Sequence, residues 1–381
     1  MHHSLLSSSL DPDRRSARPV NTLPGLHAKA LPYLLFFPFG AMLLVLLLVP
    51  PIRRAAWRVG LVDRPRSAAH KSHRQATPYA GLTIGLAFSL VLLTLPVTVA
   101  LTGLQLPPAS WWRPTGVLIL CSTAILLTGL LDDRRTLPAL PRLLAQAVAG
   151  FALLWYCPSF RLPLGSGHWA PLAGTLLWIL ALTNAVNFLD NMDGLAAGMA
   201  ALMGVLMAVM AWVSGEPVVF LLAATLTGAL VGFLRYNLPP ASVFMGDAGA
   251  LFTGFVASST ASLLSRQLAQ TPDRAAAWLA PLLLFLVPTY DLCSVTAIRI
   301  ANRMPPWIGD NNHISHRLVA LGLSRRGAVA VICTATLIGG LPALFLLRLA
   351  YHQAMLVGLG YLLVLVGVGG ADAQTRRHRM G

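Results

Sequence analysis

The chain is divided into a series of long apolar runs that carry almost no charged residues, and this pattern restricts the folds open to it. Of its 381 residues, 56% are hydrophobic and only 11% are charged, and the mean hydropathy is +0.69. Soluble domains carry about 25% charged residues, whereas a helix that crosses a bilayer needs about 20 apolar residues. The sequence therefore predicts a membrane protein and excludes a soluble enzyme, a disulfide-stapled secreted domain and a disordered chain.

Eleven apolar runs predict an all-α, polytopic fold, and ten spans is the alternative count because the run at 143–157 is short. The runs lie at 31–50, 79–101, 113–131, 143–157, 171–188, 196–214, 217–235, 248–264, 275–299, 328–348 and 353–370. We predict that residues 31–370 form one membrane domain. Residues 1–30, rich in Ser, Pro and Arg, are predicted to be a disordered tail, and 371–381 a basic cytoplasmic tail.

The positive charges are distributed unevenly between alternate loops. When the arginines at the ends of the runs are counted with the adjoining loops, the loops after the odd-numbered runs and the C-terminal tail hold nineteen Lys or Arg residues, whereas the loops after the even-numbered runs hold five. Because cytoplasmic loops are enriched in Lys and Arg, this count places the odd-numbered loops and the C-terminus in the cytoplasm and the N-terminus outside. It also explains the net charge of +15 without nucleic-acid binding, since no basic helix with interleaved aromatic residues is present.

Most of the thirteen acidic residues lie in or beside the loops predicted to be cytoplasmic, and five stand where an apolar run begins or ends. These five are Asp132, Asp133, Asp190, Asp193 and Asp247. A carboxylate at the edge of the bilayer is costly, so such residues are candidates for function. An acid at a helix end is also an ordinary N-cap or a solvated loop residue, but five in three loops on one face favour the functional interpretation.

Two of these loops have motifs that fit the binding of a cation and a phosphate. LLDDRR at 130–135 has two adjacent aspartates, which resist joint ionisation unless a cation holds them or one of them keeps its proton. VFMGDAGALFTG at 243–254 puts Asp247 between glycines just before an apolar helix. Backbone N–H groups there could face an anion while the carboxylate holds a hard cation.

The third loop, NAVNFLDNMDGLAAG at 184–198, combines amides with carboxylates. Asn184 and Asn187 are three residues apart, and so are Asp190 and Asp193, which on a helical end places all four on one stripe. Because Mg²⁺ is held by one or two carboxylates together with substrate phosphate oxygens, we interpret the three loops together as a magnesium–diphosphate site.

Two further loops add basic residues to the same predicted face. GDNNHISHRL, in the last long loop, places His313 and His316 on one side of a turn beside Arg317. Zinc would need three or four protein ligands, so we prefer phosphate contact or proton transfer by the two histidines, with Arg317 supporting an anion. The basic loop after the first run contains Lys71, which binds either substrate or, as the alternative, lipid headgroups.

With these residues the chain resembles the polyprenyl-phosphate N-acetylhexosamine-1-phosphate transferases, glycosyltransferase family 4, and within them the branch similar to undecaprenyl-phosphate GlcNAc-1-phosphate transferases. The resemblance runs from about Asp63 to Leu323 through LDD, NAVNFLDNMDGLAAG, FMGDAG and HISHRL. It implies transfer of a sugar-1-phosphate, GlcNAc-1-phosphate first among them, from a UDP-N-acetylhexosamine to undecaprenyl phosphate. UMP would be released, and the product would initiate lipid-linked glycan synthesis.

The same resemblance implies a location and a cofactor. It implies a multi-pass protein of the bacterial inner membrane, embedded in the lipid bilayer, with its active site on the cytoplasmic face. It also implies Mg²⁺ as the cofactor, with Mn²⁺ as the alternative, and it leaves a homodimer open.

Residue roles follow from the resemblance by position. Asp132 and Asp133 match the paired catalytic aspartates of the family, and Asp190 and Asp193 match the two acids of its Asn- and Gly-containing loop. Asp247 matches its magnesium ligand.

The remaining positions concern the donor substrate. Asn237 and Phe244 match positions that line the nucleoside pocket in relatives, and Asn184 and Asn187 are assigned to substrate binding. His313 and His316 match the HxxH element of the GlcNAc-type branch, whereas the pentapeptide-transferring branch has consecutive histidines, which this chain lacks. The early basic motif reads His-Lys-Ser-His where Arg-Lys-x-His is usual, and this departure weakens the role of its lysine.

Three alternatives stay open at this point. A lipid or solute transporter would place acids near the bilayer midplane, whereas here they gather at one edge. A CDP-alcohol phosphatidyltransferase would carry a DGxxAR-type cluster, and DGLAAG at 193–198 lacks the Arg. A UDP-MurNAc-pentapeptide phosphotransferase of peptidoglycan synthesis is the alternative within the family.

Overall fold

The structure is a computed structural model that describes residues 24–63, 77–94, 96–97, 112–165, 167–270, 275–305, 310–347, 349, 352–353 and 355–360. Its first helices are α1 (Pro24–Val59), α2 (Leu82–Leu93), α3 (Trp112–Arg134), α4 (Ala139–Tyr156), α5 (Trp169–Phe188) and α6 (Leu195–Val213). They are followed by α7 (Pro217–Asn237), α8 (Gly246–Leu268), α9 (Ala275–Leu284), α10 (Leu286–Ala301), α11 (Ile314–Ala320) and α12 (Arg325–Leu346). Two short strands, β1 (Val62–Asp63) and β2 (Thr77–Pro78), lie between α1 and α2.

Eight of the described helices are long and apolar enough to cross a membrane, namely α1 from Phe36 onward, α3 to α8, and α12. Helices α9 and α10 form a ninth candidate span that is bent by 68°, and α2 is a shorter apolar helix of 12 residues. Each of the first ten predicted runs coincides with one of these elements. The all-α, polytopic membrane fold is therefore confirmed, while most of the eleventh run, 353–370, lies outside the described residues and the count of eleven stays a prediction.

Helix α1 begins at Pro24, inside the range 1–30 that the composition predicts to be a tail. Proline is favoured at the first helical position, where its missing N–H costs nothing, so Pro24 is compatible with the observed start of the helix. Residues 1–23, the basic tail 371–381 and Lys71 lie outside the described residues.

Helix α8 forms the centre of the bundle. Its most apolar 18-residue window is completely buried, and it packs against α3, α5, α7 and α9. Its buried hydroxyl groups at Ser258, Thr260 and Ser262 donate to carbonyl oxygens of the preceding turn at 3.1, 2.7 and 2.8 Å. These bonds satisfy the three hydroxyl groups within the helix, as burial in a low-dielectric interior favours.

A small β-ribbon attaches the segment after α1 to the start of α8. Strands β1 and β2 pair antiparallel, with Asp63 opposite Thr77. Phe244 donates its N–H to the carbonyl of Pro78 at 3.0 Å, and its carbonyl accepts from the N–H of Ala80 at 2.9 Å. The ribbon therefore lies at the end of the bundle where α8 begins.

Candidate active site

The loops after the odd-numbered apolar runs meet at one end of the bundle, where they enclose a cavity of about 440 Å³. Six aspartates line it: Asp63, Asp133, Asp190, Asp193, Asp247 and Asp310. No Lys or Arg is among its lining residues in the part of the chain that the structure describes. The cavity therefore concentrates negative charge, which a bound cation would balance.

Most of the candidate residues from the sequence line this cavity. They are Asp133, Asp190, Asp193, Asp247, Asn187, Asn237, Phe244, His313 and His316. Asp132, Asn184 and Arg317 are described but do not line it. The packing of the helices thus brings the candidate residues that line the cavity together from four different loops and the helix ends beside them, and Asp63 adds a fifth loop.

Asp133 is held in the cavity by the first turn of α8. Its Oδ1 accepts from the N–H of Asp247 at 2.7 Å, and its Oδ2 accepts from the N–H of Ala248 at 3.1 Å. Four N–H groups at the start of a helix lack partners within the helix, and two of them are satisfied here. The carboxylate also lies at the positive end of the helix dipole.

Glycines allow α3 to come this close to α8. A Cβ added at Gly129 would lie 2.5 Å from the carbonyl oxygen of Asp247 and 2.6 Å from the Cα of Ala248. Gly246, the first residue of α8, has φ +64°, and a Cβ there would lie 2.6 Å from Oδ1 of Asp133. Gly129 precedes Asp133 by about one helical turn. The close contact of Gly129 with α8 therefore determines the position of the Asp133 carboxylate.

Asp132 is buried and takes part in a hydrogen-bond network beside the cavity. Its Oδ1 accepts from the N–H of Leu137 at 2.6 Å, and its Oδ2 accepts from Nη1 of Arg142 at 2.8 Å. The same Nη1 lies 3.7 Å from Oδ1 of Asp247, which also accepts from Nδ2 of Asn187 at 2.7 Å. The two aspartates of the LDD motif thus have different partners, and Asp132 is connected to the cavity both by a direct contact with the Asp247 side chain and through Arg142.

The Asn- and Gly-containing loop is tied to the turn between α7 and α8. The N–H of Gly194 donates to Oδ1 of Asn237 at 3.1 Å, and Nδ2 of Asn237 donates to the carbonyl of Val243 at 3.0 Å. Oδ2 of Asp193 accepts from the N–H of Ala241 at 3.0 Å. Asn237 is buried, so its position in the cavity wall is fixed by these contacts.

Two predictions about side-chain direction differ from the structure. The stripe predicted for the amides and carboxylates is not continuous, because α5 ends at Phe188 and the aspartates lie in the turn beyond it. Asn184 faces α4, where its Nδ2 donates to Oε1 of Gln146 at 2.7 Å. Arg317 faces α10, where its Nη2 donates to Oγ of Ser294 at 2.9 Å and its guanidinium lies over the ring of Tyr290.

Sequence reasoning did not single out two charged residues of α10 that hold the histidine loop. Asp291 is completely buried and its Oδ2 lies 2.7 Å from Nδ1 of His313. Arg299 is also buried, and it donates from Nε and Nη2 to the two carboxylate oxygens of Asp310 at 3.0 and 3.3 Å. The available signal was the presence of an Asp and an Arg inside the apolar run 275–299, since charged residues inside a span are functional candidates.

The electrostatics of the cavity follow from burial and from the crowding of carboxylates. Burial raises the pKa of Asp190 to about 7, and the nearby carboxylate of Asp247 adds to the rise. Burial lowers the pKa of His316, and the neighbouring His313 lowers it further. Burial and the carboxylates of Asp63 and Asp133 raise the pKa of Tyr79.

The pKa of Asp310, which also lines the cavity, is shifted in the direction opposite to that of Asp190. Burial by itself would raise its pKa, but hydrogen bonds from Arg299 and Asn312 outweigh burial, and the pKa lies below the usual value. This carboxylate therefore keeps its charge and stays paired with the arginine.

The donor set fits a magnesium ion that is bound together with a substrate. Within the described ranges no three His, Cys, Asp or Glu side chains converge as a preformed cage, which a structural zinc ion would need. Mg²⁺ instead uses one or two carboxylates and completes its shell with water and phosphate oxygens. Asp247 offers a cavity-facing carboxylate in an acidic surrounding, so the residues present suit such an ion.

These features define a multi-pass α-helical membrane protein with an acidic polar site where its loops converge. Residues 115–265 match the family described as Glycosyl transferase family 4. A probable undecaprenyl-phosphate N-acetylglucosaminyl 1-phosphate transferase of Bacillus subtilis (strain 168) is 33% identical over 302 residues, covering 77% of this chain and 79% of the relative.

Two further relatives have related names. A decaprenyl-phosphate N-acetylglucosaminephosphotransferase of Mycolicibacterium smegmatis is 32% identical over 312 residues, 74% of each chain. An undecaprenyl-phosphate alpha-N-acetylglucosaminyl 1-phosphate transferase of Escherichia coli (strain K12) is 25% identical over 298 residues, covering 74% of this chain and 76% of the relative.

The chain therefore belongs to glycosyltransferase family 4, the polyprenyl-phosphate N-acetylhexosamine-1-phosphate transferases, and is an enzyme of the glycosyl-1-phosphate transferase class. The resemblance predicted from the motifs is confirmed. This family assignment replaces the two alternatives from other protein classes, a transporter and a CDP-alcohol phosphatidyltransferase.

Proposed function

We propose that the protein transfers GlcNAc-1-phosphate, or a closely related N-acetylhexosamine-1-phosphate, from a UDP-sugar to undecaprenyl phosphate and releases UMP. The product would be the lipid-linked sugar that starts assembly of a cell-envelope glycan. The relatives' names support the acceptor class and the sugar. The observation that carries the proposal is the cavity lined by six aspartates and by no described Lys or Arg.

This lining matters because the donor is itself anionic. A diphosphate would be repelled by so many carboxylates unless a cation lay between them. Mg²⁺, with Mn²⁺ as the alternative, would be held by Asp247 and would draw negative charge from the diphosphate oxygens. Asn187 supports this role, because its amide donates to Oδ1 of Asp247 at 2.7 Å and orients the carboxylate.

The reaction needs positioning more than covalent chemistry by the protein. An oxygen of undecaprenyl phosphate attacks the phosphorus that bears the sugar, and the bond from this phosphorus to the bridging oxygen breaks as UMP leaves. Asp133 faces the cavity and keeps lone pairs beyond the two that its helix contacts use. Asp133 would accept a proton from the acceptor phosphate, whereas Asp132, which contacts both Asp247 and Arg142, would orient these two side chains.

Residues of the turn between α7 and α8, together with the histidines of and before α11, would receive the nucleotide and the sugar. Asn237 and Phe244 line the cavity beside the turn that precedes α8, where an amide and an aromatic ring suit a nucleoside base. His313 and His316 line it from the loop before α11 and from α11 itself. These histidines would contact the sugar phosphate or transfer a proton to it.

The proposal is tested with purified protein in nanodiscs supplied with undecaprenyl phosphate and Mg²⁺. UDP-GlcNAc, UDP-GalNAc and UDP-MurNAc-pentapeptide are offered separately, and both UMP and the lipid product are measured. We expect UMP with the GlcNAc or the GalNAc donor and none with the pentapeptide donor. Turnover of the pentapeptide donor alone would assign the protein to the other branch, and UMP release without lipid product would contradict the transfer.

We further propose that the cavity faces the cytoplasm of a bacterial inner membrane, with the N-terminus outside and the C-terminus inside. The excess of Lys and Arg in the loops that build the cavity supports this orientation. The residues that line the cavity all come from those loops or the ends of the helices beside them.

A further inference from the structure

Helix α10 contributes two buried charged residues, and both contact the segment 310–314. Asp291 has no exposed surface and Arg299 is 1% exposed. They lie eight residues apart in the sequence, which is about two turns of the helix. Burying a charge is costly unless it is paired and hydrogen-bonded, so two of them holding one short segment indicate that its position matters.

Asp291 binds the start of α11 through both carboxylate oxygens. Its Oδ2 lies 2.7 Å from Nδ1 of His313, and its Oδ1 accepts from the N–H of Ile314 at 2.6 Å. A carboxylate oxygen can only accept, so Nδ1 carries a proton. The other ring nitrogen, Nε2, is then left without a proton in the neutral imidazole.

The imidazole of His313 is held from other sides as well. The ring of Phe188 meets the imidazole edge to face, and the two ring centroids are 5.5 Å apart. The guanidinium carbon of Arg299 lies over the same Phe188 ring, 5.2 Å from its centroid. Arg299 in turn pairs with Asp310 at the beginning of the segment. The segment is therefore fixed to α10 at both ends, with a cavity-lining histidine between the two contacts.

We propose that Asp291 is a positioning residue of the transferase. It fixes the orientation of His313 and the tautomer with the proton on Nδ1, so that Nε2 is available as an acceptor for a proton or a hydrogen bond in the cavity. This inference rests on the proposed function for its kinetic consequences, but the tautomer is a property of the protein alone. His313 is the group that meets the substrate, and Asp291 acts through it.

The substitution Asp291→Asn separates positioning from folding. The oxygen of the new amide still accepts from the N–H of Ile314, so the start of α11 keeps its contact. The nitrogen of the amide can only donate, and it therefore requires Nδ1 of His313 to accept. The proton moves to Nε2, and the ring then presents a donor where it had presented an acceptor.

The tautomer is read directly by ¹⁵N NMR of the full chain, labelled at histidine, in nanodiscs and mildly alkaline buffer, where a free imidazole is neutral. The chain has ten histidines, and His313→Gln identifies the signals of His313 by their loss. We expect a protonated Nδ1 in the wild type and a protonated Nε2 in Asp291→Asn. The same tautomer in both proteins would overturn the proposal.

Kinetic measurements test whether Asp291 acts only through His313. We expect Asp291→Asn to lower kcat by about 10- to 100-fold, the range of a lost acid–base contribution, with KM for the UDP-sugar changed by less than about 3-fold. The double variant with His313→Gln should lose no more than His313→Gln alone. Losses that multiply in the double variant would show that Asp291 has an independent structural role and would overturn the proposal.

Cys293→Ala is the matched control, because Cys293 is an exposed residue of α10 two positions from Asp291. We expect the Cys293→Ala variant to have the same kcat and the same unfolding temperature as the wild type. If the wild type turns over no UDP-sugar, the proposed function is wrong, while the NMR experiment still decides the tautomer. If the wild type is active and the tautomer does not change, only the positioning role is wrong.

Discussion

The backbone N–H of Asp247 donates a hydrogen bond of 2.7 Å to the carboxylate of Asp133, although the two residues lie 114 positions apart. This contact joins the end of α3 to the first turn of α8. It sets the distance between two carboxylates of the cavity, one proposed to hold the metal and the other to accept a proton. The position of α3 against α8 should therefore control activity without any change in a polar side chain.

Gly129→Ala tests this relationship. The added methyl group would lie 2.5 Å from the carbonyl oxygen of Asp247, so α3 must move away from α8 and carry Asp133 with it. We expect the variant to lose about 1–3 kcal/mol of stability, as overpacked sites do, and to lose at least about 10² in kcat, because small misplacements of reacting groups are costly. Thermal unfolding in detergent and UMP release measure the two effects.

Gly116→Ala is the control in the same helix. A Cβ at Gly116 meets nothing within 4 Å, and alanine is favoured over glycine in a helix by about 1 kcal/mol. We expect unchanged kcat and equal or higher stability. A similar loss of activity in both variants would mean that the close approach at Gly129 is not what positions Asp133.

Asp247→Asn tests the proposed metal ligand. The amide is nearly the same size and can still accept from Asn187, but it offers no negative charge to a hard cation. We expect kcat to fall by about 10² or more at the Mg²⁺ concentration that saturates the wild type, with part of the loss recovered at higher Mg²⁺. UMP release is measured across a Mg²⁺ titration and repeated with Mn²⁺.

Glu216→Gln serves as the control for that experiment. Glu216 follows α6, whose 19 residues separate it from the cavity by about 28 Å of helix. Its substitution should leave the rate and the Mg²⁺ requirement unchanged. Wild-type Mg²⁺ dependence in Asp247→Asn would remove Asp247 from the metal site.

Arg299→Leu should destabilise the protein because it leaves the carboxylate of Asp310 without its arginine. Breaking one partner of a buried ion pair costs about 3 kcal/mol or more, whereas Arg58→Leu, at an exposed position of α1, should change stability by less than about 0.5 kcal/mol. Because the pKa of Asp310 is lowered in the folded protein, the pair contributes stability above the ordinary value of 3.8. This contribution is lost as the pH falls through the lowered pKa.

The measurement is therefore urea or thermal unfolding of both variants and the wild type at neutral and at acidic pH. We expect the difference between Arg299→Leu and the wild type to shrink at acidic pH as Asp310 becomes protonated. A difference that stays constant with pH would show that the arginine stabilises the protein through packing against Phe188 rather than through the carboxylate.

Cysteine labelling tests the orientation. Leu321→Cys lies just after α11, close to the cavity, and Gly167→Cys lies in the turn before α5, whose 20 residues span about 30 Å. In a Cys293→Ala background, an impermeant maleimide should label Leu321→Cys only in inverted vesicles and Gly167→Cys only in right-side-out vesicles. The reverse pattern would place the cavity outside, and labelling of both from one side would mean that the spans are miscounted.

Much of the fold follows from local sequence patterns. The apolar runs predict the helices because a bilayer requires each span to be apolar over its whole length, and the spacing of charged loops predicts which ends share a face. Asp190 and Asp247 were predicted to lie together for that reason, and the structure places both in one cavity. The N-terminal extension of α1 to Pro24 was missed because helix formation continues beyond the apolar run.

Which atoms meet inside the cavity was decided only by the tertiary structure. Adjacent residues on a helix point about 100° apart, so Asp132 reaches Arg142 while Asp133 reaches the first turn of α8. Asn184 and Asn187 diverge in the same way, toward α4 and toward Asp247. The pairing of Asp291 with His313 joins residues whose spacing follows no helical or strand period, and it exists because α10 and α11 pack together. Hydropathy is a property of each segment and can be summed along the chain, whereas the partner of a buried side chain depends on the neighbouring segments that pack against it.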